Sequence, residues 1–121
     1  MQKLETTLAQ ARSAAEVPCA DQTTCDRAWL ATRVYVEANS DMKVRYMDEG
    51  AIETYTPIHT GYVSFYARRV PTSGGGMMIL LGGVCRGMYD SDGKPGPVYA
   101  DCATKVAVPE AKFRGYLNAN L

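Results

Sequence analysis

The 121-residue chain carries 13 basic and 13 acidic side chains and a single histidine, so its formal charge is zero. That balance argues against nucleic acid and against electrostatic membrane attachment, which need a basic excess in at least one segment; the densest cluster, Arg68-Arg69, has apolar or uncharged neighbours. With 46% hydrophobic and 21% charged residues the composition is that of one globular domain over 1–121, and no apolar run reaches the roughly 18 to 20 residues of a membrane helix.

Residues 3–16 place Leu4, Leu8, Ala11 and Ala15 at helical spacing. This thin apolar stripe predicts a helix that lies loosely, within residues 1–18, on a body formed by 19–121. Val17-Pro18 stops it, because proline cannot continue the hydrogen-bond ladder. A second helix runs from about Thr23 to Asn39, where Thr23-x-x-Asp26 resembles a capping box with Asp in the acidic position. Cys25, Ala28, Trp29, Thr32 and Val36 share one face, with Trp29 as core anchor. Leu30 and Val34 lie opposite, which predicts a helix sandwiched between a sheet and the first helix.

From Lys43 the pattern changes to strands. Lys43–Met47 and Ala51–Thr56 flank Asp48-Glu49-Gly50, where the glycine suits the left-handed position of a hairpin. Tyr62–Val70 alternates, with Val63, Phe65 and Ala67 on one side and Tyr62, Ser64, Tyr66 and Arg68 on the other. Pro71 to Gly76 is a flexible turn. Met77–Cys85 is almost continuously apolar, as expected of a central strand or one covered on both faces. After the Gly87–Pro97 loop, Val98–Val108 reads as a last strand, and Pro109-Glu110 opens a short terminal helix. The expected fold is α+β, with helices on one face of a four- or five-stranded antiparallel meander.

Four cysteines fall into two local pairs, Cys19 with Cys25 and Cys85 with Cys102. Neither spacing suits a structural zinc site, and no Cys-x-x-Cys redox motif is present. Two structural disulfides are therefore expected, the second closing a loop of about 18 residues. Disulfides imply an oxidising compartment, the periplasm or cell envelope. The polar stretch after Met1 is not a signal peptide, so Met1 reads as a start residue added to a mature exported or lipoprotein-like domain.

No motif specifies a reaction, a metal or a cofactor. His59, alone in a turn after Pro57, has no nucleophile identifiable beside it, so a base role for it is the lesser expectation. Asp90-Ser91-Asp92-Gly93 hints at a calcium loop, but aligning Gly93 at position six leaves Met88 first and Tyr99 twelfth, and a tight turn fits better. Ser73-Gly74-Gly75-Gly76 lacks the lysine and helix of a phosphate loop. What remains is an excess of tyrosine, eight against two phenylalanines. Tyr62, Tyr66 and Arg68 stand in a row on the outward side of one strand, and both residue types are enriched in protein interfaces. The expectation is a non-catalytic binding or accessory domain that contacts a protein of the cell envelope through this row. The alternatives are a small-ligand carrier with an apolar pocket and a small enzyme using His59.

Overall fold

A computed structural model describes residues 2–121, with side chains from Leu4 onward; the reading of Met1 as an added start residue lies outside the described residues. The elements are α1 (Gln2–Ala14), β1 (Glu16–Cys19), α2 (Gln22–Asn39), β2 (Val44–Met47), β3 (Ala51–Thr54), β4 (Val63–Pro71), β5 (Met77–Cys85) and α3 (Tyr99–Ala119). The strands form one antiparallel sheet in the order β1-β5-β4-β3-β2, a meander of β2 to β5 with β1 added at the far edge. On one face α2 lies against β4 and α3 against β5, while α1 packs on α3. The expected α+β architecture is what forms.

Strand alternation decides which face the helices cover. Val63, Phe65, Ala67 and Arg69 of β4 are buried beneath them, as are Ile79 and Leu81 of β5 and Ile52 of β3. Tyr66, Arg68 and Val84 point away and are exposed. Phe65, Phe113, Ile52, Ile79 and Leu117 are fully buried, each stabilising the fold by about 1.5–3 kcal/mol relative to an exposed side chain. Leu8 and Ala11 of α1, with Ala15 in the turn after it, join this core from the side of α3.

Both expected disulfides form, with Cα atoms 5.4 Å apart for Cys19–Cys25 and 5.6 Å for Cys85–Cys102. Each joins the last residue of a strand to the first turn or so of a helix: β1 to α2, and β5 to α3. The helices that cover the sheet are thus fastened to it at their N-terminal ends. α1 precedes both bridges and carries none.

Several local expectations give way to the structure. The first helix does end before Val17-Pro18, at Ala14, but those two residues form part of β1, where Pro18 pairs with Met78; an edge strand tolerates a residue that cannot donate to the ladder. The N-cap of α2 is Asp21, whose carboxylate accepts the Thr24 N–H at 2.8 Å, so the Thr23-based box is displaced by two residues. Leu30 and Val34 are 63% and 59% exposed, so α2 is not sandwiched, because α1 has gone to α3 instead. Gly50 does not adopt positive φ. The Asp48 carboxylate instead shapes that turn by accepting the N–H groups of Gly50 and Ala51, both at 2.8 Å. β5 is an interior strand, paired with β1 and β4, but it is covered on one face only, with Val84 half exposed.

The largest correction concerns Val98–Val108, which is helix, not strand. Tyr99, Cys102, Ala103, Val106, Glu110, Phe113 and Leu117 recur at helical spacing and are all buried, and that long stripe outweighs the β-preference of the valines. Pro109 therefore lies inside α3. It has no N–H to give the Lys105 carbonyl, while the Tyr35 hydroxyl donates to the Pro109 carbonyl at 2.6 Å and fixes α2 to α3 at this point. The Tyr35 ring also meets Phe113 and Tyr116 at 5.3 and 4.6 Å.

Candidate functional site

The uncovered face of the sheet is built around Tyr66. Its backbone partner across the strands is Gly82, and the ring lies over that glycine, in space that a Cβ would fill. The neighbouring Gly83 serves the other face, where Phe65 and Val106 close over it. Two consecutive glycines in an otherwise apolar strand thus admit one ring on each side of the sheet. Arg68, two residues further along β4, places its guanidinium carbon 6.0 Å from the Tyr66 ring centroid, a distance at the outer limit of a cation–π contact.

Charge on this face is shared across three strands. Glu53 of β3 accepts from Arg45 of β2 at 2.8 Å and from Arg68 of β4 at 3.4 Å. Two guanidinium groups thus share one carboxylate. At the far end the Tyr46 hydroxyl donates to the Asp48 carboxylate, which holds Asp48 below its ordinary range and pushes Tyr46 above its own.

Beside Tyr66 and Arg68 runs a groove of about 680 Å³, its wall formed by Thr54–Ile58 and its floor by Ser64, Tyr66 and Val84. The wall is held in place from below. Thr54 donates to the Phe65 carbonyl at 2.8 Å and shares a hydrogen bond with the Ser64 hydroxyl, and Arg86 donates to the Pro57 carbonyl at 3.1 Å. Tyr55 and Ile58 stand 51% and 66% exposed along it. On the other side of Tyr66 are two smaller depressions of about 510 and 230 Å³, into which α1 contributes Leu8 and Arg12. Arg12 can reach this face because β1 pairs with β5 only as far as Leu80, leaving α1 beside the following residues.

Of the three residues expected to form a row, the structure brings Tyr66 and Arg68 together at the groove. Tyr62 stands one residue ahead of β4, exposed, with the His59 ring edge-on to it at 4.9 Å. His59 is itself exposed, and among the described residues no carboxylate is paired with it. Asp90 accepts the N–H groups of Asp92 and Lys94 at 2.9 Å each, so its segment is the tight turn expected. Among the described residues no cluster of three or more His, Cys, Asp or Glu could hold a metal ion, and no helix is long and apolar enough to cross a membrane.

Sequence reasoning missed the groove wall and the arginine pair on Glu53. The alternation of Arg45 and Glu53 on two hairpin strands was an available signal for the pair. The wall was not signalled, since it is a segment without regular structure held by hydrogen bonds from distant residues. Comparison with protein-family models, with curated proteins and with solved structures finds no match.

Proposed function

We propose that this chain is a non-catalytic binding domain of an exported, periplasmic or envelope protein, and that it contacts a partner protein through the uncovered sheet face around Tyr66 and Arg68. One observation carries the reading. The helices bury one face of the sheet, while the other keeps Tyr66 and Val84 exposed at 40% and 49% beside a groove, with Arg68 among them. Exposed aromatic and arginine side chains on a rigid sheet combine contact area with small loss of side-chain freedom, the usual composition of an interface centre. The two disulfides support an oxidising compartment.

The test is site-specific photocrosslinking in the native host, with the crosslinking residue at Tyr66 and a control at Val34 on the solvent side of α2. A discrete adduct with one envelope protein from Tyr66, absent from Val34, is expected. Tyr66→Ala with Arg68→Ala should then weaken that complex by about tenfold or more, as loss of interface hot spots does. Equal adducts at both positions, or adducts only at Val34, would reject the surface. Thiol trapping in intact cells should find all four cysteines oxidised, and reduced cysteines would reject the compartment.

A further inference from the structure

On the buried stripe of α3 one side chain is out of character. Glu110 is fully buried, and neither of its carboxylate oxygens has a hydrogen-bond partner. An ionised carboxylate without partners in an apolar interior is strongly disfavoured. From α1 the facing charge is Arg12, which offsets the burial only in part; Glu5, near the start of the same helix, faces Tyr99 instead. From α2 comes Tyr35, whose hydroxyl is committed to the Pro109 carbonyl. Arg114, one turn further along α3, donates to the Glu16 carbonyl at 2.6 Å. The strands contribute apolar side chains to the same core, Phe65, Ile79 and Leu81. Glu110 therefore fits this packing as the neutral acid.

Among the described residues α1 buries fewer side chains than either α2 or α3. It offers the core Leu8 and Ala11, and unlike α2 and α3 it has no disulfide. We infer that α1 is a proton-gated clamp: neutral Glu110 lets it dock on α3, and ionisation of Glu110 releases it, removing Leu8 and Arg12 from beside Tyr66. The consequence for binding rests on the Tyr66 face being the contact surface; the movement of α1 does not.

The direction of the pH effect follows from proton linkage. Burial raises Glu110 from 4.5 to about 7 when α1 is docked, and lifting α1 returns the carboxyl to water and to its ordinary range. Between those two values the docked form holds a proton that the open form has lost. Each pH unit there raises the opening equilibrium by up to about tenfold, and the effect levels off above about pH 7.

Residue-resolved amide hydrogen exchange, with intrinsic rates divided out, measures this opening without any partner. Protection of the α1 amides is expected to fall by approaching tenfold per pH unit between about pH 5 and 7 and then to level. The α2 amides should hold constant, and Glu110→Gln should make α1 protection independent of pH. Carbon-detected NMR titration of the Glu110 carboxyl in the unmodified protein supplies a second reading should the variant fold poorly. α1 protection independent of pH, α1 and α2 losing protection together, or a Glu110 carboxyl titrating in the ordinary range would each overturn the clamp. Loss of binding with an intact clamp would reject the contact surface alone.

Discussion

The Tyr66 ring occupies the space above Gly82 that a side chain there would need, and Phe65 and Val106 do the same on the opposite face at Gly83. The two glycines are therefore unequal in consequence. In Gly82→Ala the new methyl meets the outer end of a half-exposed ring that can swing into solvent, so the cost should stay below about 1 kcal/mol. Gly83→Ala forces a methyl against fully buried Phe65 and should cost about 1–3 kcal/mol, the range for overpacking a core. Denaturant unfolding of both variants checks the order. Tyr66 ring resonances should shift in Gly82→Ala and stay put in Gly83→Ala.

Arg69, buried near the C-terminal end of β4, holds three elements together. Its Nε donates to the Glu49 carbonyl at 2.7 Å, its Nη1 to Asp26 of α2 at 2.8 Å, and its guanidinium carbon lies 5.1 Å from the Trp29 ring centroid. Trp29 in turn donates its Nε1–H to the Asp48 carbonyl at 2.8 Å. Arg69→Ala should destabilise by about 2–4 kcal/mol, the scale for losing a buried charged hydrogen-bonding group. Arg69→Lys should recover only part of that, since a single ammonium cannot reproduce the planar fork. Trp29→Ala should cost about 3–5 kcal/mol. Equilibrium unfolding of the three variants is the measurement, and an Arg69→Lys variant as stable as the parent would refute the fork.

How far the fold was legible depended on the range of the interactions that decide each element. The alternation of β4 follows from a period of two within one segment, so the inward set Val63, Phe65 and Ala67 and the outward pair Tyr66 and Arg68 could be read directly. The disulfides were readable because each closes a short loop. Val98–Val108 misleads because its valines suit a strand, and only the stripe continuing through Phe113 and Leu117 reveals a helix. In the sequence Arg69 is merely half of a basic pair. Its burial depends on Asp26, Trp29 and Glu49, which no local pattern associates with it. The same holds for Glu110, which beside Pro109 reads as an acid in the first turn of a short terminal helix. Placed on the buried side of a longer helix, the same carboxyl is buried with no hydrogen-bond partner.

Reduction of the two bridges should have unequal effects. By loop-closure entropy the Cys85–Cys102 bridge is worth about 3 kcal/mol and the smaller Cys19–Cys25 loop somewhat over 2 kcal/mol. Paired serine substitutions at each bridge, compared by denaturant midpoint, should therefore leave the variant without Cys85–Cys102 the less stable. Its loss should also raise exchange in the first turns of α3, which that bridge fastens to β5. Equal destabilisation, or a larger loss from the Cys19–Cys25 pair, would show that native contacts at the α2 start outweigh the entropy of the loop.

The pH profile of stability should have its maximum unusually low. Asp21, Asp26 and Asp48 are all held below their ordinary value of 3.8, Asp21 chiefly by the Thr24 N–H, Asp26 by Arg69 and Asp48 by the Tyr46 hydroxyl. A lowered carboxylate contributes stability that is present above its unfolded value and lost as pH falls through its folded one. Stability should therefore decline on acidification below about pH 3.8. Glu110 acts in the opposite sense, being raised from 4.5 to about 7 by burial. Its neutral form fits the fold, so between those values the folded protein binds a proton that the unfolded chain does not, and stability falls as pH rises. Together the two effects place the maximum near pH 4 to 4.5, with a plateau of lower stability above about pH 7. Urea midpoints measured from pH 3 to 8 should trace that shape. In Glu110→Gln the decline between pH 4.5 and 7 should vanish while the acid limb persists. A parent profile that instead rises steadily toward neutrality would mean that Glu110 finds a partner in solution.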